Sequence, residues 1–189
     1  MKNLFFILSC ALGLMSCAQQ GNITAYSQAA ALVIPPERVT LPVALPPDST
    51  VDFIVVQKQQ RLFTLWNHGQ LVKTYPIIAT GANPVGKKLY EGDERTPEGQ
   101  YYINDKHVSQ RFQKFLEISY PNENDKAIAK KMHVPAGGNV GIHGDAGGVS
   151  GFFQRFDKTW TDGCLAMRNA DIEDIYARVA VGTPILIKP

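Results

Sequence analysis

One thiol and one imidazole carry the residue types needed for covalent catalysis. Cys164 sits in Trp160-Thr161-Asp162-Gly163-Cys164-Leu165, where a glycine-rich loop meets an apolar run. His143 closes another apolar run, Gly141-Ile142-His143-Gly144. A free cysteine titrates near pH ~8.5, so a thiol nucleophile needs a base near neutrality, and imidazole is the side chain best matched to that task. Gly163 lets the backbone approach closely, so its N–H and that of Cys164 could face a developing oxyanion. A pair 21 positions apart is compatible with any fold, and an inert buried thiol is the competing reading.

The other two cysteines, Cys10 and Cys17, lie near the start. Lys2 is followed by an uncharged run from Leu4 to Met15, which describes a secretory signal too short to span a membrane comfortably. Leu14-Met15-Ser16-Cys17 resembles a bacterial lipobox, whose cysteine is lipidated and becomes the new N-terminus. Ala18 stands where an inner-membrane retention signal would carry Asp. The expectation is a signal over 1–17, a lipid on Cys17 and a periplasmic protein held at the inner leaflet of the outer membrane. Cys10 then leaves with the signal, and Cys164 has no partner for an internal disulfide.

Charge and composition narrow the remaining classes. Nineteen basic against 17 acidic residues give +2, too little for a nucleic-acid-binding face. A 44% hydrophobic content excludes disorder, and the lack of repeated apolar runs of about 20 residues excludes a polytopic membrane protein. No C-x-x-C or H-E-x-x-H occurs, so no metal site is expected.

The chemistry must be positioned by what surrounds it. Five of the 12 prolines crowd the stretch before Thr50, so 18–50 reads as a semi-rigid tether and 51–189 as one domain. Strands are expected at Val51–Gln57, Arg61–Trp66, Leu71–Ala79, Gly99–Ile103, Phe115–Tyr120, Val140–His143, Cys164–Met167 and Ile185–Lys188. Ile172, Ile175, Tyr176 and Val179 form the apolar stripe of an amphipathic helix, with Asn169 as its N-cap and Gly182 as its stop. A weaker helix is expected from Asp125 to Met132. The fold class is therefore mostly β with one or two helices, α+β. Arg95 reads equally as a substrate contact or as part of a turn. Phe152, Phe153 and Phe156 read as core or as a cleft wall, and Trp160 as packing beneath the catalytic loop.

The words around the pair go further. Ile142-His143-Gly144 and Thr161-Asp162-Gly163-Cys164, with 17 residues between His143 and Thr161, resemble the L,D-transpeptidase (YkuD-type) catalytic domain, whose motif is a histidine followed at some distance by S/T-H-G-C. Gly92-Asp93-Glu94-Arg95-Thr96-Pro97-Glu98-Gly99, Ile118-Ser119-Tyr120-Pro121-Asn122 and Gly182-Thr183-Pro184 are similar to a lipoprotein-like branch carrying W-T-D-G-C. The resemblance covers Val51 to Pro189. It implies a mixed β-sandwich with an accessory helix, and a cysteine acyltransferase acting on diaminopimelate-containing peptidoglycan stem peptides without a cofactor. Cys164 would form a thioester, His143 would serve as base, and an amine or water would be the acceptor. A carboxypeptidase or amidase of the same fold, and a non-catalytic peptidoglycan-binding lipoprotein, are the alternatives. Thr161, Asp162, Gly144, Arg155 and Arg168 are candidate substrate contacts. Two positions depart from the family. Asp162 stands where its histidine would be, and Ala166 and Met167 stand where its arginine follows the cysteine. A carboxylate beside Cys164 disfavours the thiolate, so Arg155, Lys158 or Arg168 is expected to offset it.

Overall fold

A computed structural model describes residues 51–146 and 156–189. The expected signal and tether, Cys17, Phe152, Phe153 and Arg155 lie outside the described residues. In chain order the elements are β1 (Phe53–Gln57), β2 (Leu62–Asn67), β3 (Gln70–Pro76), β4 (Gly99–Ser109), β5 (Gln113–Ile118), α1 (Glu123–Lys131), β6 (Gly141–His143), β7 (Leu165–Ala166), α2 (Asn169–Arg178) and β8 (Pro184–Lys188). The strands form one sheet in the order β3-β2-β1-β8-β4-β5-β6-β7. It is mixed: β1 with β8 and β6 with β7 are parallel, and the other pairs are antiparallel.

Local sequence explains most of these elements. Ile54, Val55 and Val56 are buried in succession because β1 lies inside the sheet and is covered on both faces. β2 and β3 are joined by His68-Gly69, both in the left-handed region (φ 48° and 76°), the two-residue turn that suits a twisted hairpin. β3 is the outer edge and buries only Tyr75. It ends at Pro76, short of the expected Ala79, since a proline has no N–H to continue the ladder. Ala79 instead makes an isolated bridge to Ala166.

β4 is longer than expected and does two jobs. Gly99 to Tyr102 pair with β8, and Ile103 to Ser109 pair with β5, with a register irregularity between Ile103 and Asp105. The strand thus changes partners midway and joins the half of the sheet built on β1 and β8 to the half that carries β6 and β7. Side chains from both halves, including Ile54, Leu65, Leu116, Ile142 and Ile185, share one core with Ile172 and Ile175 of α2. Burial of each such side chain contributes about 1.5–3 kcal/mol. α1 starts two residues before the expected helix, because Asn122 and Asp125 form a reciprocal capping box. Asp125 also accepts from the Tyr101 hydroxyl (2.9 Å) and pairs with Lys87 (2.7 Å), which ties α1 to β4. The N-cap of α2 is Arg168, not Asn169. The Asn169 side chain is committed elsewhere, accepting from the Asp145 amide at 3.0 Å.

Candidate active site

β6 brings His143 into place. Gly141 is needed there, because a Cβ would meet the Leu116 carbonyl and stand 2.6 Å from the Phe115 ring. His143 pairs with Phe115 across the ladder and stacks on that ring at 5.9 Å. Phe112 stacks closer, at 4.1 Å, and Trp160 lies 5.6 Å away at a tilt. Beyond His143 the chain is fastened by Gly144 N–H donating to Phe112 C=O (3.1 Å) and Asp145 N–H donating to Asn169 Oδ1 (3.0 Å). The Gly144 Cβ position is filled by Asn169 Oδ1 and by the Phe112 carbonyl at 2.7 Å. Gly144 is thus a packing requirement, and its carbonyl lies 2.6 Å from His143 Nδ1. With Nδ1–H donating to that carbonyl, Nε2 carries the lone pair, as a general base requires. Burial holds the imidazole down to about 4, the Gly144 carbonyl works against this, and Arg111 adds to it. His143 is therefore neutral at pH 7.

Cys164 comes from the neighbouring segment. In the parallel β6–β7 pair His143 stands opposite Ala166. Cys164 stands immediately before β7, two residues ahead of Ala166. Its Sγ lies 3.8 Å from the Asn139 carbonyl and donates to it. Burial pushes the thiol up to about 11. A hydrogen bond from the Gly141 backbone opposes this, exposed Asp162 adds to it, and Lys88 opposes it.

The loop before Cys164 is set by Thr161. Its hydroxyl donates to the Cys164 carbonyl (2.7 Å) and accepts from the Gly163 amide (3.2 Å). This corrects the expected oxyanion pair: the Gly163 N–H is spent on Thr161, which leaves the Cys164 amide as the remaining backbone donor of the two. Gly163 itself has φ +132°, and a Cβ there would stand 2.6 Å from the Arg95 carbonyl and 3.8 Å from Lys88 Nζ. Thr161 is buried and bridged to Gly81, so it shapes the loop from behind.

The other expected contacts are dispersed. Arg168 is exposed at the head of α2 and forks onto Asp171 at 2.6 and 3.2 Å. Exposed Lys158 meets the site through its carbonyl, which accepts from Thr80 N–H. Phe156 is exposed, and Trp160 packs against His143 as expected. Arg95 presents its backbone to Gly163, while its guanidinium lies against the Asn83 amide, whose oxygen, with the amide turned over, accepts from Nε and Nη2 at 3.2 Å each. Lys88, the cation that reaches the Cys164 loop, was absent from the expected set. It belongs to a segment that only the fold brings there, and no spacing in the sequence announces it. Among the described residues no group of three or more His, Cys, Asp or Glu could hold a metal ion.

Residues 51–187 match the family model of the YkuD L,D-transpeptidase catalytic domain, most of the chain. The chain belongs to this family. No curated protein sequence matches it. Among solved structures, it is similar to the helical cell shape determining protein Pgp2 from Campylobacter jejuni, with 23% identity and a TM-score of 0.54. That alignment covers 75% of this chain and 48% of the other, so the chain spans about half the length of Pgp2. An L,D-transpeptidase from Xylanimonas cellulosilytica aligns with 12% identity and a TM-score of 0.48, over 77% and 64% of the two chains. One from Enterococcus faecium aligns with 14% identity and a TM-score of 0.48, over 73% and 50%. The mixed sheet with two helices is the L,D-transpeptidase fold, and His143 and Cys164 both lie within the matched span.

Proposed function

We propose that the protein is a cysteine acyltransferase that acts on peptidoglycan stem peptides through a thioester on Cys164. The observation that carries this reading is the placement of Cys164 immediately before β7, the strand paired in parallel with the β6 strand that bears His143, together with His143 Nδ1 bound to the Gly144 carbonyl. His143 Nε2 takes the thiol proton as sulfur adds to the carbonyl carbon at the L-centre of diaminopimelate. The oxyanion faces the Cys164 amide. Collapse of the intermediate expels D-Ala, whose nitrogen takes the proton back from His143. An acceptor amine, or water, then gives a proton to His143 and attacks the thioester. The same acylation serves a crosslinking or protein-attaching transpeptidase, a carboxypeptidase, and an amidase that releases a wall-bound lipoprotein. In the proposed setting the enzyme works in the periplasm, anchored through a lipid on Cys17 to the inner leaflet of the outer membrane. The name of the Campylobacter protein is consistent with a role in cell shape.

A second reading, a binding module that has kept the fold, is favoured by one observation: the thiol is pushed up to about 11 and rests on Asn139. The experiment mixes a soluble form starting at Ala18 with diaminopimelate-type tetrapeptide muropeptides, with Cys164→Ala as control, and reads products by mass spectrometry. Dimers joined between diaminopimelates identify a transpeptidase. Tripeptide with free D-Ala and no dimer identifies a carboxypeptidase. Bound but unchanged tetrapeptide, with no acyl-enzyme mass, supports the binding module.

A further inference from the structure

We propose that Lys88 is a positioning residue for Cys164: its buried ammonium, set against the Gly163 backbone, supplies the positive charge that offsets Asp162 and favours negative charge on the sulfur. The proposal rests on Cys164 being the nucleophile. Lys88 lies in the segment running from Val85 to Arg95, 76 positions from the cysteine. Its side chain is 4% exposed, and its Nζ would be 3.8 Å from a Cβ on Gly163, next to the Arg95 carbonyl at 2.6 Å. Its one hydrogen bond among the described residues goes to Asp93 Oδ1 at 2.8 Å, which uses one of three protons.

Most of the hydrogen bonds that Asp93 accepts come from the backbone. Asp93 already receives the amides of Leu89 (2.7 Å), Tyr90 (3.4 Å) and Arg95 (3.1 Å), a set that by itself closes the turn. Burying an ion pair is weak evidence for stability, because desolvation cancels much of the attraction. The neighbouring cations are paired as Lys88 is with Asp93, and what distinguishes Lys88 is its Nζ beside the Gly163 position. Lys58 pairs with Glu98, Lys87 with Asp125, Arg168 with Asp171, and the Arg95 guanidinium turns to Asn83. Lys158 is exposed, Arg111 acts on His143, and His143 on β6 is buried and neutral. Asp162 on the cysteine's own loop opposes the thiolate, and Lys88 favours it. No proton or bond passes to Lys88, since the thiol proton goes to His143 and the lysine acts through charge.

The test is the rate of Cys164 alkylation by iodoacetamide at pH 8, which needs no peptide substrate and so separates this proposal from the function proposed above. Lys88→Met strands a buried carboxylate and risks unfolding, so the decisive variant is Lys88→Gln with Asp93→Asn, which keeps a neutral hydrogen-bonded pair. It is expected to react about tenfold more slowly, equivalent to about one unit in the thiol pKa. Adding Asp162→Asn is expected to restore most of the rate. An unchanged rate in the folded double variant overturns the proposal. So does a slowed rate that Asp162→Asn fails to restore, which would assign the ion pair to holding the loop.

Discussion

At Cys164 and His143 burial pushes the two reacting groups away from the ion pair. The thiol rises to about 11 and the imidazole falls to about 4, so the resting state at pH 7 is neutral thiol and neutral imidazole. Charge appears only when the proton moves during attack, a task for a general base rather than a preformed thiolate. The sign follows directly. A lowered imidazole keeps its lone pair down to about pH 4, so the acid limb of kcat/KM should fall near 4 and not near the ordinary histidine value of about 6.5. A raised thiol means that alkylation by iodoacetamide should climb about tenfold per pH unit from 7 to 10 without a plateau. A pH–rate profile over 4–10, with alkylation followed in parallel, checks both. An alkylation plateau near pH 7 would show that the thiolate is already formed at rest. His143→Ala should lower turnover about 10²–10⁴-fold while leaving the fold intact.

At the scale of elements, glycines set how closely the catalytic strands and loops approach. Gly144→Ala would drive a Cβ into Asn169 Oδ1 and the Phe112 carbonyl, the two groups that turn the chain after His143. Gly163→Ala would meet both a φ of +132° and the Arg95 carbonyl. Each is expected to cost about 1–3 kcal/mol in urea unfolding, and to lower turnover by more than the stability loss explains. A variant with native turnover would free that glycine from any role in placing the site. Much of this scale was legible in the sequence. The Ile172, Ile175, Val179 stripe marks α2, and Asn67-His68-Gly69 marks the β2–β3 turn. The second half of β4 was not legible, since Asp105, Lys106 and His107 are polar and the strand there is held by pairing with β5 rather than by a buried alternation. The residues of the motif could be read, because they are neighbours in the chain. Lys88, Phe112 and Asn139 could not, because only the folded sheet brings them to the site.

Across the whole molecule, residues 1–50 join the domain at a strand that does not carry the site, although the Ala79–Ala166 bridge returns the chain after β3 to β7. Those residues enter at β1, in the half of the sheet that ends at β3, while β6 and β7 occupy the other end beyond β4. Val51 is fully buried and Asp52 N–H donates to Trp66 C=O at 3.0 Å, so the domain needs the chain from about this point onward. Among the described residues, Cys164 and His143 take their contacts from Phe112, Phe115, Asn139, Gly144 and Trp160. A form spanning 48–189 is therefore expected to melt within about 2 °C of one spanning 18–189. Turnover on soluble muropeptides should also agree within about twofold, less than about 0.4 kcal/mol in barrier. Membrane association should behave in the opposite way. Expressed in full, the chain should sediment with membranes, and Cys17→Ser should release it with its activity on soluble substrate unchanged. If the shorter form loses activity while keeping its melting temperature, the leading segment contributes to the site. If Cys17→Ser still sediments, the anchor lies elsewhere than in a lipid on that cysteine.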